Sequence, residues 1–163
     1  MNGELLQRIV EEVVTRLQRR AESTLTLSVA QLRETPSRTL FSRYSSLHVL
    51  QVDLPLLEKI AENDATDSAA VILHDALAFG LQVRLSLRRA LLPALPVKKL
   101  ARLPLTFCDE QGVRIVLHPT RLVSYADVVR SSGGVFVLHR KCVVTALARD
   151  AASSRNIQFI KQE

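Results

Sequence analysis

The sequence predicts an α/β domain: a mixed sheet flanked by helices and preceded by an N-terminal amphipathic helix. Three observations predict it. Short apolar runs suited to strands alternate with segments of helical periodicity through most of the chain. Two of those runs flank Asp109-Glu110-Gln111-Gly112, the pattern of an antiparallel hairpin with glycine in its turn. The opening MNGELLQRIVEEVVTRLQRR carries apolar residues at helical spacing.

The opening helix comes first. At about 100° per residue, Leu5, Leu6, Ile9, Val10, Val13, Val14 and Leu17 fall within half of its circumference. Gln7, Glu11, Thr15, Gln18 and Arg19 lie on the other side. Glu4 in the first turn and Arg16, Arg19 and Arg20 in the last suit the helix dipole. Glu4–Arg8 and Glu12–Arg16 are spaced for i,i+4 ion pairs. Ile9, Val10, Val13 and Val14 are β-branched, so propensity helps little and the stripe must be buried for the helix to persist. Residues 1–20 are therefore expected to be a docking helix. Residues 21–24 (AEST) read as a short linker, and 25–163 as a single α/β domain.

Within that domain LTLSV (25–29) is a strand, followed by a helical turn through Glu34. Residues 34–46 are polar and interrupted by Pro36, which predicts a loop. LHVLQVDL (47–54) reads as a strand, and Pro55 suits the first turn of the next helix. Asp67 or Ser68 caps a further helix that Gly80 ends. LQVRLSLR (81–88) alternates as a half-buried strand does. Pro93, Pro96 and Pro104 leave room only for short helical pieces around 97–103. After the hairpin, Ser124 caps a helix ended by Gly133-Gly134. Residues 135–140 and 141–145 are short strands or one bent strand, Thr145 caps the last helix, and 157–161 is the last strand. No internal repeat is evident.

Composition excludes several classes. A chain of 163 residues that is 47% apolar can build a real core. Cys108 and Cys142 make no disulfide framework, which fits a reducing compartment. Arg8, Glu11 and Glu12 break any secretory apolar segment, and no uncharged run is long enough to span a membrane. Aromatics at 4% argue against base stacking, and no nucleic-acid module accompanies the pI of 9.9. There is no Walker loop, no G-x-G-x-x-G and no nucleophile elbow. His118, His139 and Cys142 could meet in space, but their spacing is no zinc signature. Cys142 reads as core, and Asp109 beside Cys108 would raise a thiol pKa rather than lower it. No catalytic residue, metal or cofactor is expected.

The net charge of +6 is unevenly placed. Residues 53–75 are acidic apart from Lys59, whereas 76–108 carry Arg84, Arg88, Arg89, Lys98, Lys99 and Arg102 without an acid. These are either ordinary solvated faces that pair in part or a patch for an anionic partner. In a ligand-binding or enzymatic reading, that basic run would hold a phosphate at the carboxyl ends of parallel strands.

HDALAFG (74–80), PVKKLARLPL (96–105), LHRKCVVTALARDAASSRNIQFIKQE (138–163) and the opening MNGELLQRIVEEVV together resemble the M-protein family of the propanediol-utilisation bacterial microcompartment. The likeness covers the whole chain. It implies a non-enzymatic protein that helps a cytoplasmic microcompartment assemble or stay intact, with shell proteins as partners. Packaged enzymes and a second copy of the chain are further candidate partners. The resemblance carries over no catalytic residue, and it assigns the apolar stripe of the opening helix to docking on the shell.

Overall fold

The computed structural model describes residues 2–163; Met1 and the side chains of Arg20, Ala21 and Glu22 lie outside the described residues. The opening helix, α1 (Asn2–Glu22), runs past the expected boundary at residue 20. The first strand, β1, is Thr24–Ser28. Only Ser23 separates the two, so the expected four-residue linker is a single residue.

After β1 come α2 (Val29–Glu34), α3 (Ser37–Arg43) and β2 (Ser46–Leu50). Then follow α4 (Leu54–Glu62), α5 (Ser68–Ala78) and β3 (Gln82–Ser86). A 3-10 segment at Arg89–Ala94 and α6 (Val97–Leu100) lead to β4 (Leu105–Cys108). The remaining elements are β5 (Arg114–His118), β6 (Leu122–Val123), α7 (Tyr125–Val129), β7 (Gly134–Leu138), β8 (Val143–Val144), α8 (Ala146–Ser154) and β9 (Ile157–Lys161).

Two expectations for the first half are corrected. Residues 37–43 form α3 rather than a loop. Pro36 precedes its first turn, where no N–H donor is missed, and Leu40 is buried to 1% exposure. The strand expected over 47–54 ends at Leu50. Gln51 takes a left-handed conformation (φ 57°), and the Asp53 carboxylate accepts from the Leu56 N–H at 3.0 Å to cap α4.

Seven strands make one sheet in the order β1-β2-β3-β4-β5-β7-β9. β1 to β4 pair in parallel, β4 and β5 are antiparallel, and β5, β7 and β9 are again parallel. The Asp109 carboxylate closes the reversing turn by accepting from the N–H groups of Gln111 (2.9 Å) and Val113 (2.8 Å). That reversal decides where the helices go. Crossovers between parallel strands are right-handed, and the sheet keeps growing in one lateral direction. Once the strand direction inverts, the same handedness sends the helices to the opposite face. α2, α4, α5 and α6 accordingly share one core with Leu47, Val49, Val83 and Leu85. Val128 of α7 and Ala148 and Ala152 of α8 pack with Phe136, Leu138 and Ile157 in a second cluster. The 3-10 segment covers the remaining face of the second half, where Gln162 Nε2 donates to the carbonyls of Leu92 (3.0 Å) and Leu95 (2.8 Å).

One face is left open. On β1 to β4 the side chains opposite the first core are Thr24, Thr26, Gln82, Arg84 and Thr106, all exposed, with Ser46 and His48 half-buried. Parallel sheets usually carry helices on both faces; this one meets solvent through polar side chains.

The second half contains an internal repeat that the sequence reading did not find. β5-β6-α7 and β7-β8-α8 are successive coils of one pattern. Val116-Leu117-His118 lies in register with Phe136-Val137-Leu138, Leu122-Val123 pairs with Val143-Val144, and the cap Ser124 corresponds to the cap Thr145. β8 pairs in parallel with β6, and α8 packs against α7. Thr145 Oγ1 accepts from the Ala148 N–H at 3.1 Å. Thr145→Ala is expected to cost about 1 kcal/mol in urea unfolding.

Candidate functional site

α1 stands apart from both cores. All its residues from Asn2 to Arg19 are exposed, and the seven stripe side chains range from 44% exposed at Val14 to 63% at Leu6. The chain nevertheless favours a helix here locally. Arg16 pairs with Glu12 at 2.6 Å, Gln7 donates to Glu11 at 3.3 Å, and Thr15 donates to the Glu11 carbonyl. Glu4 and Arg8 form no ion pair. These exposed contacts add a few tenths of a kcal/mol each, roughly 0.3–0.5. The stripe holds far more: burying half-exposed aliphatic side chains contributes about 1 kcal/mol apiece. No membrane-spanning helix is present among the described residues.

The structure distributes the six basic residues of the expected patch among three places. Arg84 lies on the open sheet face beside His48, whose pKa is lowered by burial and then by that guanidinium. Arg88 and Arg89 follow the carboxyl end of β3. Arg88 shares a cavity of about 660 Å³ there with Gln51, Asp53 and Glu110. Arg89 is tied down by Asp109 (3.5 Å) and by Gln158 (3.3 Å). Lys98 and Lys99 sit on α6 with Arg102 just beyond it, and Lys99 lies 3.9 Å from Glu62. The crossover from β3 back to the start of the parallel strand β4 carries α6 to the opposite end of the sheet from Arg88 and Arg89.

Side chains that carry chemistry elsewhere are engaged structurally here. Cys142 is buried in the second core, and that burial pushes its thiol pKa up. Cys108 is buried with its Sγ 3.8 Å from His48 Nε2, a contact absent from any sequence pattern because it crosses β3. His74 bonds the Ile60 carbonyl at 2.8 Å. His118 Nε2 meets Thr120 Oγ1 (2.7 Å) and the Leu122 carbonyl (2.8 Å). No group of three His, Cys, Asp or Glu side chains able to hold a metal is found among the described residues.

The exposed stripe is thus the most unusual feature of the molecule. The family described as "Putative propanediol utilisation" matches residues 8–158. A protein of Citrobacter freundii is 66% identical over all 163 residues and 100% of both chains, and one of Salmonella typhimurium is 60% identical over the same span. Both are named bacterial microcompartment assembly protein PduM. The chain belongs to the PduM family. The resemblance seen in the sequence is therefore the true kinship. No solved structure matches the chain. Within the PduM family fold as it stands here, sequence reasoning found the stripe through its period. It missed the grouping of cations at the carboxyl ends of β5 and β7, because that group is assembled from segments far apart in the chain.

Proposed function

We propose that this chain is a non-enzymatic assembly protein of the bacterial microcompartment for propanediol degradation, residing in the compartment and docking on its shell proteins through α1. The reading is supported by the names of two relatives that align over their whole length. The observation that carries the docking part is the exposure of Leu5, Leu6, Ile9, Val10, Val13, Val14 and Leu17 along one helix. Such a helix is marginal alone and gains its stability by laying the apolar face in a groove. Seven side chains at about 1 kcal/mol each are of the same order as the cost of association, about 4–15 kcal/mol, so docking calls for a closely fitting groove.

The test is co-purification. Wild type, Ile9→Glu/Val13→Glu and a chain lacking residues 2–22 are produced in cells that make the compartment. Both variants are expected to be lost from purified compartments while urea unfolding of the domain is unchanged. Retention of the double variant at the wild-type level would remove α1 as the tether. Light scattering on the purified wild type separates self-association from docking: a dimer lost in the double variant assigns the stripe to a second copy.

A further inference from the structure

The carboxyl ends of β5, β7 and β9 lie at one end of the sheet, and a groove of about 260 Å³ opens there. Its floor is apolar, formed by Pro96, Val97 and Pro119, with the buried His118 ring at the back. Its rim is cationic. Lys98 and Lys99 from α6 line it together with His139; Arg121 in the turn after β5 and Arg140 and Lys141 in the turn after β7 lie near enough to act on that His139. Desolvation of the His139 ring, and after it the charges of Lys98, Arg121, Arg140 and Lys141, hold its pKa below the usual value. Among the described residues, none of those four cations has a carboxylate partner; Lys99 reaches the exposed Glu62 at 3.9 Å. Asp127 lies behind His118 and is engaged by the Ser124 N–H and hydroxyl.

Like charges gathered without counter-charges repel one another and weaken the fold. The buried carboxylates Asp67 and Asp109, by contrast, are met by cations: Asp67 by Arg33 and Lys59, and Asp109 by Arg89. The repeat concentrates the imbalance, because each coil sends one basic turn to the same end of the sheet. The groove is smaller than a typical small-molecule site, about 300–1,000 Å³. Its apolar floor accepts a single aliphatic side chain, and its rim accepts the carboxylates on either side of it.

We propose that this groove binds an acidic protein segment in which an apolar side chain is flanked by carboxylates. The site is separate from the stripe on α1; β1, which follows α1, starts at the end of the sheet where β5, β7 and β9 finish.

The experiment measures fluorescence anisotropy of a labelled Asp-Glu-Leu-Leu-Glu-Asp peptide with the full chain. A peptide with Ser replacing both Leu serves as the comparison. Wild type is expected to bind the Leu peptide more tightly than the Ser peptide, with affinity falling as salt rises. Lys98→Glu/Arg140→Glu is expected to weaken binding about tenfold or more, and Arg84→Glu on the open face to leave it unchanged. All three positions are exposed, and unchanged urea midpoints confirm that the variants are folded. The proposal is overturned if wild type does not bind the Leu peptide. Equal loss with Arg84→Glu, or displacement by pyrophosphate at lower concentration than by unlabelled peptide, overturns it as well.

Discussion

Gly134→Ala is expected to cost the domain about 3 kcal/mol or more, among the largest effects of any single methyl group in this chain. Gly134 opens β7 with φ +103°, and a Cβ built there collides with the carbonyl oxygen and carbon of Arg114 on β5. The neighbour is backbone in a paired strand, so it cannot rotate away as a flexible side chain would. β7 is also the strand on which both cores depend. Val135 and Val137 belong to the first cluster, and Phe136 and Leu138 to the second. Moving β7 away from Arg114 disturbs all four. Gly112 supplies the comparison: its φ is +81°, but nothing lies within 4 Å of a Cβ there. Gly112→Ala should therefore cost only the conformational part, about 1–2 kcal/mol. Urea unfolding of both variants reads the difference, and equal midpoints would contradict the close approach of β7 to β5.

Asp67→Ala is expected to cost about 2–3 kcal/mol at neutral pH. Its side chain is 7% exposed and joins three helices. It caps α5 by accepting from Ala69 (2.8 Å) and Ala70 (3.4 Å), and it meets Arg33 of α2 at 3.1 Å and Lys59 of α4 at 3.5 Å. Burial works to raise its pKa, but the bonds from Arg33 and the two backbone N–H groups outweigh it, and the net shift is downward. A carboxyl whose folded pKa is depressed stabilises the fold fully above its unfolded pKa. That contribution is lost as pH falls through the folded value. Asp67→Asn should accordingly differ from wild type most at pH 7, and the gap should narrow as the medium is acidified below about pH 4. A gap that stays constant from neutral to acid would mean that the charge of Asp67 adds nothing to its cap.

Much of this architecture could be read from local signals. Asp67 and Thr145 announce their helices through capping chemistry, Gly112 announces the hairpin, and the period of Leu5 to Leu17 announces α1. The misreadings share one physical origin. Pro36 and Asp53 are signals with two meanings, breaker or starter, and tertiary contacts decide between them: Leu40 is pulled into the core, and Asp53 turns to cap α4. The repeat stayed hidden because its coils share strand and cap positions while the turn after β7 is one residue longer than the turn after β5. The cationic groove was half legible. Lys98 and Lys99 stood in a basic run, but their companions Arg121, Arg140 and Lys141 come from separate turns.

The lateral order of the main sheet bears on how the chain is made. Each strand of this sheet after β1 pairs with the strand of the same sheet that precedes it in the chain, and none is inserted later between two others. A nascent chain leaving the ribosome can therefore add each strand to an edge already in place, and no early edge must wait for a distant segment. Every closure spans one connection only, so the loop entropy met at each step is small. β1 to β4 and their helices are complete before the turn at Asp109–Gly112 is synthesised, and the two coils that follow need only that edge to grow upon.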